Sequence, residues 1–128
     1  MANSLIKSGI DNVIYTIHSD TSSLYSESYK FNDGRMIINM RYKVSTAVIS
    51  PSGSNYYADI TMPNFPITFY AKPTVSMHVE AGTGNAFLAG KNYVTTTSCG
   101  NCFIVRSTGY STEKTFIIHV HAEGRWKE

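Results

Sequence analysis

The chain has 128 residues, enough for one core and too few for two. A 42% hydrophobic and 16% charged composition is globular, which excludes a disordered chain, and a formal charge of +2 without a basic stripe argues against nucleic-acid binding. Uncharged apolar runs are far shorter than the ~20 residues of a membrane-spanning helix, so no membrane insertion is expected, and the first seven residues carry no apolar signal-peptide core.

Ile6, Ile10, Val13 and Ile17 are spaced 4, 3, 4, with Leu24 one heptad further on. That is the seam of a coiled coil, and isoleucine at both seam positions favours three strands or more. Val13-Ile14-Tyr15-Thr16-Ile17 is equally good extended sequence, so residues 1–27 read either as a coiled-coil neck or as an extended arm, a connector in both cases.

From residue 28 period-2 alternation takes over. Met36, Ile38, Met40, Tyr42 and Val44 share one face, and Arg35, Asn39, Arg41 and Lys43 the other, as in a half-buried antiparallel strand. Asn32-Asp33-Gly34 supplies the turn, so residues 28–45 read as a hairpin. A Ser-Gly loop at 50–55 leads to a segment around Tyr56 to Met62, followed by Pro63 and Pro66 and a short strand at Ile67-Thr68-Phe69. Val75, Met77 and Val79 alternate with polar residues. Further short strands are expected at 86–89, 93–97 and 102–106, and a last one at 115–122. No helical periodicity follows residue 28, and the prediction is an antiparallel β-sandwich over 28–128.

Cys99 and Cys102 form a lone CxxC without the second pair a zinc site needs or the βαβ context of a redox motif, so they read as two thiols beside a turn. Nucleophile elbow, phosphate loop and HExxH are all missing, and the nine carboxylates are scattered. An enzyme is not expected. In the last strand Phe116, Ile118, Val120 and Ala122 should face the core, leaving His119 and His121 on the other side, ~6.5–7 Å apart. Such a pair can chelate a metal; the plainer reading is hydrogen-bonded histidines on a subunit interface. Sugar recognition needs aromatic faces and planar polar groups on rigidly held loops. Asn55, Tyr56 and Tyr57, then Lys91, Asn92 and Tyr93, and then Tyr110 to Thr112 fit, although tyrosines also serve as ordinary strand residues.

Three segments carry a family resemblance. Ser28-Tyr29-Lys30-Phe31-Asn32-Asp33-Gly34-Arg35 resembles the Tyr-x-Lys-Phe-x-Asp-Gly-Thr hairpin that opens C-terminal domains of bacteriophage tail proteins. Phe69-x-x-Lys72-Pro73-Thr74-Val75 resembles their loop-to-strand step, and Gly124-Arg125-Trp126-Lys127 their closing Gly-Arg-Trp-Lys. The order of elements is also similar to the H-type lectins, with Val94 to Thr97 leading to Phe103 as the matching step.

The resemblance implies a homotrimeric sandwich on the distal tail of a virion. It would be joined to an upstream fibre or baseplate segment and would recognise a host cell-surface glycan. It implies a sugar site between protomers at Lys91 and Tyr110, flanked by Asn92, Tyr93 and Thr112, and a transition metal held by His119 and His121 on the three-fold axis. Val120 stands where the family has Trp, and His121 and Glu123 where it is apolar, which argues against a purely apolar trimer seam. A structural trimerisation cap is the alternative to an adhesin, and a free-standing cellular lectin a third reading.

Overall fold

The computed structural model describes residues 13–82 and 85–128, without the side chains of Tyr110 and Ser111. The described residues hold nine strands and no helix. They are β1 (Val13–Asp20), β2 (Leu24–Phe31), β3 (Arg35–Val48), β4 (Ser50–Ser52), β5 (Asn55–Ile60), β6 (Thr74–Ala81), β7 (Phe87–Gly90), β8 (Cys102–Arg106) and β9 (Tyr110–Arg125). All pairings are antiparallel, in a five-stranded sheet of order β1-β2-β3-β9-β6 and a four-stranded sheet of order β4-β5-β8-β7.

The two sheets pack face to face, and the expected alternation supplies the core. Met36, Ile38 and Met40 of β3 and Phe116, Ile118, Val120 and Ala122 of β9 are all buried, opposite Ala58, Ile60 and Ile104 of the small sheet. The 28–45 hairpin forms as predicted. Gly34 takes φ +103, a backbone region that suits glycine, and its N–H closes the turn on the Phe31 carbonyl at 3.0 Å. A clasp joins the same turn to the end of β9. The Trp126 backbone N–H donates to Gly34 O at 2.9 Å, its indole N–H to Phe31 O at 2.9 Å, and Arg125 Nη2 to Asp33 O at 2.8 Å.

Of the two readings open for the N-terminal residues, Val13 and Ile17 take the extended one, on β1, while Ile6 and Ile10 fall outside the described residues. Residues 27 and 28 both lie within β2, and residues 13–27 run in the same sheet as the 28–48 hairpin. Segments 67–69 and 93–97, expected as strands, are irregular because they bond to each other. Phe69 N–H donates to Thr96 O at 2.9 Å and Phe65 N–H to Thr97 O at 2.8 Å, while a turn from Thr95 N–H to Ser98 O at 2.9 Å breaks any ladder. This cross-link seats Phe65 and Phe69 edge to face in the core, 5.1 Å apart.

Candidate functional site

Each sheet has an outer face that carries chemistry. On the small sheet, register decides which residues meet: Tyr57 lies opposite Val105, Val105 opposite Phe87, Asp59 opposite Phe103, and Phe103 opposite Ala89. Because alternate residues share a face, these rows stand on one side while Ala58, Ile60 and Ile104 enter the core. A groove of about 330 Å³ runs between Ser52, Asn55, Tyr57, Ala89, Phe103 and Val105. Tyr57 braces Phe103 edge to face at 5.2 Å and 80°. Phe87 at the rim is 54% exposed. Lys91, just past β7, reaches back so that its ammonium donates to Asp59 Oδ2 at 2.7 Å and lies 5.6 Å from the centre of the Phe103 ring.

The fold therefore brings two of the sequence candidates, Asn55 and Tyr57, into one groove, sets Lys91 beside its Phe103 wall, and leaves the others elsewhere. Tyr56 points to the opposite side of β5 and lines a separate hollow with Ile49 and Gly109. Asn92 turns its backbone to the 98–101 loop, its N–H on Asn101 O at 3.4 Å. Tyr93 is 87% exposed, with the Lys72 ammonium 5.5 Å from its ring centre. Thr112 is exposed on β9, in the other sheet from the strand that leads to Lys91. The Tyr110 side chain lies outside what the structure describes. Sequence reading missed Asp59, Phe87 and Phe103. The signal for Phe103 was the alternation of β8, in which Cys102, Ile104 and Arg106 are buried and Phe103 and Val105 face out.

The outer face of the large sheet is polar and tightly wired. Cross-strand register aligns Glu27, Asn39, His121 and Ser76 in one row, and Tyr25, Arg41, His119 and His78 in the next. They line a groove of about 460 Å³. The Glu27 carboxylate is saturated: Tyr25 and Tyr15 hydroxyls donate to Oε1 at 2.5 and 2.8 Å, and Asn39 Nδ2 to Oε2 at 3.1 Å. Burial pushes the Glu27 carboxyl up, but the hydrogen bonds from Tyr25, Asn39, Tyr15 and Tyr29 outweigh it and hold the group below its ordinary range. The same contacts, with the hydrogen bond to Glu27 first, push the Tyr25 hydroxyl well above the usual tyrosine value.

His119 and His121 both face this groove. A carboxylate can only accept, so His119 Nε2 donates to Glu80 Oε1, at 2.6 Å. Asn39 presents its oxygen to the ring, so His121 Nδ1 donates to Oδ1 at 2.6 Å. His119 stacks on His78 with ring centres 4.5 Å apart. Its hydrogen bond is the chief cause that holds the Glu80 carboxyl low. Among the described residues no group of three or more His, Cys, Asp or Glu side chains converges to hold a metal ion. Cys99 and Cys102 are free, buried thiols, each pushed up to about 11 chiefly by burial.

No family model matches the chain, and no curated protein matches it. Among solved structures it is similar to an N-truncated R1-type pyocin tail fibre, at 23% identity and a TM-score of 0.51 over 97% of this chain and 96% of that one. An R1 pyocin fibre from P. aeruginosa matches over 88% of this chain and 28% of its own, at 23% identity and a TM-score of 0.49. An R2 pyocin fibre from the same organism matches over 89% and 26%, at 19% identity and a TM-score of 0.42. The two-sheet antiparallel architecture described above is thus a fold shared with a pyocin tail-fibre structure.

Proposed function

We propose that the chain is a receptor-binding domain of a phage-type tail fibre, which assembles as a trimer and adheres to a glycan on the bacterial surface. The observation that carries this reading is the outer face of the small sheet, where Tyr57, Phe87 and Phe103 offer ring surface beside the Lys91–Asp59 pair. Sugars are held by such faces together with a few fixed polar groups on a rigid scaffold. The fold likeness to a pyocin fibre supports the setting: a domain on the distal tail of a virion, joined to an upstream fibre or baseplate segment. Adhesion needs no catalysis, because three weak sites on one trimer raise avidity by ~10²–10⁴ without new contacts. The test is binding of the fluorescently labelled chain to a panel of bacterial strains, with purified surface polysaccharide as competitor. Competed binding by a species of three times the chain mass is expected; binding that polysaccharide leaves untouched overturns the reading.

A structural cap that locks a fibre tip around a metal is the second reading, and the histidine geometry favours it specifically. Each imidazole donates one N–H within the sheet, to Glu80 or to Asn39, which leaves His119 Nδ1 and His121 Nε2 as the second ring nitrogens, the latter 3.6 Å from Glu123 Oε1. Metal-binding imidazoles are oriented in that way by their outer partners. One protomer supplies too few ligands, so copies around an axis would complete the set. Native mass spectrometry distinguishes the readings. One ion per trimer, lost with a chelator, in a protein without glycan binding supports the cap; a metal-free trimer that binds polysaccharide removes it.

A further inference from the structure

We infer that the Lys91–Asp59 pair together with Phe103 forms a subsite for an uncharged pyranose, recognised through two neighbouring hydroxyls. This deepens the glycan reading above and rests on it.

Charge comes first. Lys91 and Asp59 neutralise one another at 2.7 Å, and Ser52, Asn55, Tyr57, Ala89, Phe103 and Val105, which line the groove, carry no charge. A carboxylated or phosphorylated sugar would find no net attraction there and would have to break the ion pair. An uncharged sugar has no such conflict. An ammonium has three N–H donors and a carboxylate about four acceptor positions. With one of each used between them, the pair still presents a donor and an acceptor side by side. Two hydroxyls on adjacent ring carbons offer the complement: one accepts from Lys91 Nζ while the other donates to Asp59. Both side chains are partly open to solvent, at 37% and 50%.

The aromatic wall fixes the other half of the ligand. The Lys91 ammonium lies 5.6 Å from the Phe103 ring centre, so hydroxyls held by the pair leave the C–H face of the same sugar against that ring and Val105. Tyr57 pins Phe103 edge to face, and both sit on paired strands, so the wall is preformed. Size suits a small ligand. A groove of about 330 Å³ lies at the small end of ligand sites (~300–1,000 Å³), the scale of a single sugar ring and its neighbours.

The test is a nuclear magnetic resonance titration of the isotope-labelled full chain with neutral methyl hexopyranosides. The matching methyl uronides and tetrahydropyran-2-methanol, a ring without adjacent hydroxyls, serve as controls. At least one neutral glycoside is expected to shift the backbone signals of Asp59, Ala89, Lys91 and Phe103, with the uronide and the hydroxyl-poor ring about tenfold weaker or worse. Lys91→Met and Asp59→Asn should each weaken the neutral glycoside about tenfold, whereas Tyr93→Ala should not. Shifts confined to another face, tighter binding of the uronide, or indifference to both substitutions overturns the subsite. A drop to monomer mass on Phe87→Ser also overturns it, since this face would then join copies of the chain. Cell adhesion separates the two levels. If Lys91→Met and Asp59→Asn keep polysaccharide-competed adhesion, the subsite falls and the glycan reading stands. If the unaltered chain shows none, the glycan reading falls and takes the subsite with it.

Discussion

Gly124 lets β9 pass beneath the ring of Phe69: a Cβ built on it would stand 2.8 Å from Phe69 Cδ1 and 3.1 Å from Pro73 Cβ. Phe69 is 2% exposed, buried in the core. Gly124→Ala is therefore expected to cost about 1–3 kcal/mol by overpacking, seen as a lowered urea midpoint. Gly82→Ala is the control, since a Cβ there meets nothing within 4 Å among the described residues, and it should be neutral or slightly stabilising.

The Trp126 clasp separates into a polar and an apolar part. Trp126→Phe keeps a ring beside Lys30 and Lys127 but removes the donor to Phe31 O, and should cost about 0.5–1.5 kcal/mol. Trp126→Ala removes the packing too and should cost more, near the low end of the ~3–5 kcal/mol of buried aromatic truncations, because the side chain is only half buried. Hydrogen exchange at the Gly34 and Trp126 amides, which close the turn and the clasp, reports the loss directly.

Glu27 ties stability to acid. Its folded carboxyl titrates below the ordinary 4.5, so its contribution is fully present above about pH 4.5 and disappears as pH falls through the folded value. Glu27→Gln turns an amide N–H₂ toward donors that now point at a carboxylate, and should lower stability by about 1–2 kcal/mol at pH 7. The gap should narrow between pH 7 and pH 3. Urea melts of both chains at the two pH values check the sign.

The thiols act at the other end of the scale. Cys99 and Cys102 titrate at about 11 against an ordinary 9.0, so burial of the neutral thiols contributes fully below pH 9 and is lost as pH rises toward 11. A thiolate-selective disulfide reagent at pH 8 should leave the folded chain untouched and modify both thiols in urea. Fast modification without denaturant would contradict the burial described here.

Where one face of a strand is buried, the sequence is legible. Met36 to Val44 and Phe116 to Ala122 alternate because the core lies on one side only, and the Asn32-Asp33-Gly34 turn is local chemistry. The Val94 to Thr97 run misleads because β-branched residues suit strands in general, and this run gives its carbonyls to Phe65 and Phe69, some thirty residues upstream. β1 is ambiguous for a similar reason: a 4, 3, 4 spacing of Ile and Val fits a coil seam, yet pairing with β2 decides the matter. The candidate site was half visible. Tyr57 and Lys91 have the right chemistry, but Asp59 meets Lys91 across 32 residues of chain, and only sheet register brings Phe103 between their strands.

The position of β9 has a consequence for biosynthesis. It is the fourth strand across the large sheet, hydrogen-bonded to β3 on one side and β6 on the other, and those two strands do not pair with each other. A nascent chain stalled before residue 110 would hold Met36, Ile38 and Met40 on a strand with one edge unpaired. It would have no way to complete the sheet except by borrowing a β9 from a neighbouring chain. Closure across that gap is slow, as pairings distant in sequence are, and the open edge invites aggregation or strand exchange in the meantime. Crowded copies on neighbouring ribosomes thus face a kinetic contest between finding their own last strand and taking another's.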